Sequence, residues 1–169
     1  MNNEKPIPQL TLCIVNYNGE QYLEETLNSV FLQENKFNEI LLIDNASEDN
    51  SIEIIKTKFP AVRVILLEKN FGPGSARNEG FKAASYNRIL FIDNDVNITP
   101  NLPDMLINAL NKNPNASVAV PQVFFANQKN KIQYNGADSH FLGLMSLRNG
   151  NITSTGLKNG ISEIGSLVT

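Results

Sequence analysis

The sharpest chemistry in the sequence is Asp93-Asn94-Asp95, two carboxylates two positions apart directly after the apolar run Ile89 to Ile92. Hard divalent cations take oxygen ligands, and Mg2+ in particular is held by one or two carboxylates while substrate phosphates fill the rest of its shell. A solvated turn closing a strand would use the same residue types, because Asp and Asn are favoured there anyway. A second stretch, Asn70-Phe71-Gly72-Pro73-Gly74-Ser75-Ala76-Arg77, combines glycines that permit close backbone approach, the N–H groups of a helix start and a guanidinium. That combination suits an anionic diphosphate; the plain alternative is a glycine-rich helix start with Arg77 on a solvated face. It is not the dinucleotide fingerprint, which needs a third glycine where Arg77 stands and belongs after a first strand. The chain has no Gly-Lys-Ser/Thr, so a P-loop is excluded. In Asp44-Asn45-Ala46-Ser47-Glu48-Asp49 the first carboxylate is placed for hydrogen bonds to a base or ribose, while Ser47 with acids downstream also reads as a helix cap. His140, the sole histidine, has no evident Ser or Cys partner and is not taken as catalytic.

These groups need a scaffold, and the apolar pattern supplies one. Short apolar runs at Leu10 to Val15, Ile40 to Ile43, Val62 to Leu67, Ile89 to Ile92 and Val118 to Phe125 read as five strands. Between them, Leu23, Leu27, Val30 and Phe31 make a helical stripe over Glu20 to Gln33. Asn50 to Lys58 is a shorter helix with a less convincing packing face, Gly72 to Ala84 a third with Ala76, Gly80, Phe81 and Ala84 inward, and Leu102 to Leu110 a fourth. Strands alternating with helices indicate a parallel α/β sheet, and continuous Val, Ile and Leu in the first four strands indicates helices on both faces. Crossovers are right-handed, so the strand C-termini share one edge, where open α/β sheets bind ligands. That edge carries Asn16, Tyr17 and Asn18; Asp44 and Asn45; Asn70 and Gly72; and Asp93 with Asp95.

The totals set limits. A chain of 169 residues with 41% hydrophobic and 18% charged composition suits a soluble globular protein with one core by default. A net charge of -3 without a Lys/Arg run argues against nucleic acid and against a polybasic membrane patch. Cys13 lies within an apolar run and reads as a buried hydrophobe, which suits a reducing, cytoplasmic setting. Residues 1–9 do not resemble a signal peptide, and the apolar runs are far shorter than the roughly 20 residues of a spanning helix. After Asn127 the chain turns rich in Asn, Gly, Ser and Thr, so residues 1–127 are expected as the ligand-binding domain and 128–169 as an incomplete, loop-rich extension of hairpins and loops.

Taken in register, Val15-Asn16-Tyr17-Asn18, Ile43-Asp44-Asn45-Ala46-Ser47-Glu48-Asp49, Asn70-Phe71-Gly72 through Ala76-Arg77-Asn78-Glu79-Gly80 and Asp93-Asn94-Asp95 resemble family 2 glycosyltransferases, in wording closest to rhamnosyltransferase-like members. The resemblance covers about Gln9 to Gln128. It implies a GT-A fold that binds a UDP- or dTDP-linked sugar, with Asn16, Tyr17 and Asn18 at the base, Asp44 bonded to it with Asn45 alongside, and Asn70, Gly72 and Arg77 near the base or diphosphate. Asp93 and Asn94 then lie toward the ribose, and Asp95, helped by Asp93, is the principal ligand of Mn2+ or Mg2+. The reaction implied is a single inverting displacement onto a saccharide or lipid-linked acceptor, with peripheral membrane association only through regions outside these residues. The family's catalytic base lies in an acidic motif past the donor domain, so it is expected beyond Thr169; Asp138 and Glu163, the acids of the tail, lack a recognisable setting. The chain is accordingly expected to be a truncated, donor-binding portion with little or no turnover of its own. The competing readings are a nucleotide-sugar-binding module without chemistry, and a sugar-nucleotide pyrophosphorylase. The latter needs a glycine-rich, Arg-containing loop where this chain has Asn16-Tyr17-Asn18-Gly19.

Overall fold

A computed structural model describes residues 9–33, 37–134, 137–139, 145–147 and 152–154. Its centre is a four-stranded, fully parallel sheet of β1 (Leu10–Asn16), β2 (Glu39–Asp44), β3 (Arg63–Leu66) and β4 (Arg88–Asp93), in the order β3-β2-β1-β4. The chain walks outward from β1 to β3 and then crosses back to the other side of β1. The strand order therefore reverses between β1 and β4, which opens a crevice at their C-terminal ends.

Period-two alternation assigns each strand residue to a face. Leu12, Ile14, Leu42 and Ile92 pack under α1 (Glu20–Phe31) and α2 (Ser51–Lys58), together with Leu23, Leu27, Val30 and Ile55. Cys13, Val15, Leu41 and Ile43 point the other way, toward α3 (Pro73–Ala83) and its Ala76. All seven residues of β1 are buried, as a central strand covered on both sides requires. Burial raises the Cys13 thiol pKa to about 12, the nearby Arg77 opposing only in part, so the residue is an inert core group.

Three expectations need correction. The second helix packs well: Ile55 is fully buried, Phe59 nearly so, and Phe31 of α1 stacks on Phe59 with ring centres 5.6 Å apart. Phe81 is not on the core face of α3 but 69% exposed: one position past Gly80, it is turned off the inward face that Ala76, Gly80 and Ala83 hold against the sheet. The run Val118 to Phe125 is not a fifth strand of the central sheet. Only β5 (Val123–Phe125) is extended and paired, antiparallel to β6 (Gln128–Tyr134), in a separate two-stranded sheet. A second antiparallel pair joins β7 (Ala137–Ser139) and β8 (Met145–Leu147), so the tail does contain hairpin-type pairings. α4 (Leu102–Lys112) carries the boundary between two compact units, residues 1–104 and 105–169. His140 and Glu163 fall outside the described residues.

At the N-terminal rim the Glu39 carboxylate ties three elements together. It accepts hydrogen bonds from Thr11 Oγ1 (2.8 Å), Ser85 N (2.8 Å), Ser85 Oγ (2.9 Å) and Arg63 Nη1 (3.2 Å). Burial alone would raise its pKa, but these donors outweigh it and hold the carboxyl below its ordinary value. A depressed folded-state pKa contributes stability above the ordinary value of 4.5 that is lost as pH falls through the folded-state value. Glu39→Gln is therefore expected to lower stability at pH 7 and to weaken its acid dependence, as read by urea titration at pH 7 and pH 3.

Gly80 sets the distance between α3 and the sheet. A Cβ there would lie 2.2 Å from Cys13 Sγ and 3.3 Å from Ile43 Cγ1, whereas one on Gly74 would meet nothing within 4 Å. Gly80→Ala should cost about 1–3 kcal/mol by overpacking, and Gly74→Ala should be neutral or stabilising by up to about 1 kcal/mol. Thermal denaturation of the two variants checks the contrast.

Candidate functional site

The C-terminal rim of the sheet is built around a carboxylate. Asp44 ends β2, is 2% exposed, and accepts three hydrogen bonds: Asn16 Nδ2 (2.8 Å) and Ser47 Oγ (2.6 Å) on Oδ2, and Ser47 N (2.9 Å) on Oδ1. Asn16, at the end of β1, is completely buried and turns its other atom, Oδ1, to Asn94 Nδ2 at 2.7 Å. Asn94 is held from behind as well, since Thr26 Oγ1 of α1 donates to its carbonyl at 2.8 Å. The middle residue of Asp93-Asn94-Asp95 thus belongs to a continuous polar chain running across β4, β1 and β2.

A second relay fixes the glycine loop. Asn45 Nδ2 donates to Asn70 Oδ1 (2.8 Å), which also accepts from Gly72 N (2.8 Å), while Phe71 N donates to Asn45 Oδ1 (3.0 Å). Gly72 has φ 85°, a region open to glycine without penalty, and Pro73 then supplies the fixed φ of the first helical position. This start aims α3 so that Arg77 Nη2 meets Asp93 Oδ1 at 2.6 Å, with side chains 20% and 51% exposed. A half-exposed pair of this kind adds no more than about 1 kcal/mol to stability. Its value is positional, since it keeps a guanidinium and a carboxylate together at the crevice mouth.

Asn16, Tyr17, Asn18, Asp44, Asn45, Asn70, Gly72, Asp93, Asn94 and Asp95 therefore stand at the C-terminal ends of neighbouring parallel strands or in the turns that follow, and Arg77 reaches the same rim from within α3 through its contact with Asp93. Asn16, Asp44 and Asn45 form the buried floor; Tyr17, Asp93 and Asp95 are exposed. Among the described residues no group of three or more His, Cys, Asp and Glu is arranged to hold a metal ion. The exposed carboxylates at the end of β4 and just after it on this rim are Asp93 and Asp95. That donor set fits Mg2+ or Mn2+ when water and phosphate oxygens complete the shell.

Ser47 is the functional residue that sequence reading misplaced. It does not cap α2, which starts at Ser51 behind an N-cap Asn50 whose own side chain makes no cap bond, the Ser51 N–H being taken by Asp49 Oδ1 (3.0 Å). Instead its hydroxyl donates to Asp44 and accepts from Asn16 Nδ2 (3.1 Å) and Asn18 N (2.9 Å). Ala46 takes φ 63° to bring it there, a left-handed backbone that costs a non-glycine residue roughly 1–2 kcal/mol. Strain of this kind is retained where the surroundings enforce it, often at functional sites.

The N-termini of α1 and α2 cap one another. Asp49 Oδ2 accepts from Glu20 N (2.8 Å), and the Glu20 carboxylate accepts from Asn50 N (3.1 Å) and Asn50 Nδ2 (2.9 Å). Burial works against ionisation of Asp49, but hydrogen bonds from Ser51 and from the Glu20 N–H hold its pKa down. An open depression of about 710 Å³ beside this exchange is lined by Asn18, Glu20, Gln21, Glu48, Asp49 and Ile54. Three carboxylates there would repel a diphosphate, so the anion site is better sought at Arg77.

Residues 11–160 match the family model "Glycosyl transferase family 2", and the chain belongs to that family. It is 32% identical over 115 residues to the poly-beta-1,6-N-acetyl-D-glucosamine synthase of Staphylococcus epidermidis, an alignment that takes in 67% of this chain and 28% of that protein. It is also 32% identical over 95 residues to the succinoglycan biosynthesis protein ExoO of Rhizobium meliloti, covering 56% of this chain and 27% of the relative. Among solved structures, S. aureus TarS 1-349 in complex with UDP-GlcNAc superposes with a TM-score of 0.57 at 27% identity, over 70% of this chain and 38% of that one. The matched part of the chain thus spans 27–38% of the length of these proteins. The central sheet and its helices match the GT-A fold of these neighbours. Rhamnosyl transfer in particular finds no specific support in them. No helix among the described residues is long and apolar enough to cross a membrane.

Ser47→Ala should leave the buried Asp44 carboxylate short of one donor and cost about 1–3 kcal/mol, measured as a lowered midpoint in urea with an unchanged slope.

Proposed function

We propose that this chain is the donor-binding portion of an inverting glycosyltransferase that moves a hexosyl-type sugar from a UDP- or dTDP-linked donor to a saccharide or lipid-linked acceptor in polysaccharide or cell-wall synthesis. The observation that carries the reading is the convergence, on one rim at the reversal of strand order, of the Asp44 relay, the Arg77–Asp93 pair and Asp95. The UDP-GlcNAc complex of the TarS neighbour favours UDP over dTDP. On this reading residues 1–127 hold the donor and 128–169 lead toward the acceptor region.

Each part of the rim has a task. Tyr17 presents an exposed ring to the base, above Asn16 and beside Asn18 and Asn45. Asp44 Oδ1 accepts one described bond, from Ser47 N, which leaves a lone pair for a base N–H. Asn70 and Gly72 shape the loop that lets a diphosphate approach α3, and Arg77 gives it a fixed cation. Asp95, with Asp93, would hold Mn2+ or Mg2+, which supplies charge neutralisation for the departing diphosphate. Deprotonation of the acceptor needs a carboxylate within hydrogen-bond reach. No described residue is assigned to that role. The cytoplasm fits this activity, since the buried, unpaired Cys13 suits a reducing compartment.

Calorimetry with UDP and with dTDP in the presence of Mn2+ is expected to show saturable uptake of at least one. Asp95→Ala should reduce its affinity by about tenfold or more, in line with the loss of one metal ligand or its orienting partner. No uptake of either nucleotide, or full affinity in Asp95→Ala, would contradict the reading.

A further inference from the structure

The central residue of Asp93-Asn94-Asp95 has a side chain that points away from solvent and into the polar chain beneath the rim. We infer that Asn94 and Asn16 are positioning residues, a buried hydrogen-bonded strut that holds the Asp93 and Asp95 carboxylates in register with Asp44, and that neither touches the nucleotide. The inference rests on the donor-site reading above and assigns the middle position of the two-carboxylate turn a task that reading leaves open.

Donor and acceptor directions fix the order of the polar chain. An ionised Asp44 can only accept, so the Asn16 amide must present Nδ2 to it, and the observed 2.8 Å contact does so. That leaves Oδ1 as the only Asn16 atom facing β4, an acceptor. Residue 94 must therefore donate, and Asn94 Nδ2 does so at 2.7 Å. Asn16 has no exposed surface, and both of its polar side-chain atoms are used. No atom of its side chain remains to contact a base.

Two neighbours show that the strut is tightly held. A Cβ on Gly19 would lie 2.1 Å from Asn94 Nδ2 and 2.3 Å from Asn16 Oδ1, so the backbone of residue 19 closes over the hydrogen bond. Thr26 Oγ1, from α1, grips the Asn94 carbonyl at 2.8 Å. With side chain and carbonyl both anchored inward, the flanking Asp93 and Asp95 are held at the surface, where both are exposed. Groups that orient metal-binding side chains without touching the metal commonly change metal affinity 10–100-fold when removed.

The test compares the full chain with Asn94→Ala and Asn94→Asp, titrating uridine, UDP without metal, and UDP with Mn2+ by calorimetry. Asn94→Ala is expected to cut the Mn2+ enhancement of UDP affinity by about tenfold, with uridine affinity unchanged within about twofold, since uridine carries no phosphate. Asn94→Asp adds a third carboxylate yet removes the donor. The strut predicts a weaker Mn2+ enhancement, and a charge-only role predicts a stronger one. An undiminished enhancement in Asn94→Ala, a stronger one in Asn94→Asp, or a parallel loss of uridine and UDP affinity overturns the inference while the donor-site reading stands. Failure of the unsubstituted chain to bind UDP overturns both.

Discussion

Everything at the functional rim depends on one buried anion. Asp44 sits almost without solvent at the end of a central strand, and a carboxylate there survives only if its oxygens are supplied with donors. Asn16, Ser47 Oγ and Ser47 N supply them, and meeting that demand dictates much else. It fixes the orientation of the Asn16 amide, draws Asn94 inward from the neighbouring strand, and enforces the left-handed Ala46 that brings Ser47 into place. Polar networks of this kind are high-stakes in a low-dielectric setting: fully satisfied they specify one arrangement, and partly satisfied they cost more than an apolar core would.

The sheet makes that anion matter for function. Because β1 lies between β2 and β4, a chain of three side chains spans from Asp44 to the Asp93–Asp95 turn without leaving the protein. The opposite rim uses a carboxylate differently. Glu39 ties the starts of strands and the α3–β4 connection together, and its partners are a threonine, a serine and an arginine. The two rims divide the work, one holding the scaffold and the other presenting chemistry.

The sequence made the first four strands and the first three helices legible to within a few residues, because each strand of the parallel sheet carries an apolar run rich in Val, Ile, Leu or Phe, although only β1 is buried along its whole length. The convergence of the candidate site residues was legible too, since parallel strands put their ends on one edge. Other features were not. The apolar run Val118 to Phe125 signals burial without naming a partner, and only its last three residues pair, with Gln128–Tyr134. Helical period alone places Phe81 inward, yet a Cβ on Gly80 would stand only 2.2 Å from Cys13 Sγ, which shows how closely α3 approaches the sheet. Ser47 looked like a helix cap because caps and carboxylate partners draw on the same residue types. The mutual capping of α1 and α2 joins Glu20 to Asp49 and Asn50 across 29 and 30 positions, a pairing no local pattern can reveal.

Family membership and fold follow from the match over residues 11–160 and from the TarS likeness. The metal and nucleotide assignments rest on the geometry of the rim, and one measurement addresses them at once. Crystals of the chain grown with UDP and Mn2+ would locate the ion by its anomalous scattering. The account predicts a single Mn2+ held at Asp95 and Asp93, with the diphosphate beside Arg77 and the uracil at Tyr17. A Mn2+ seated instead among Glu20, Glu48 and Asp49, or a nucleotide bound away from Asp44, would contradict it.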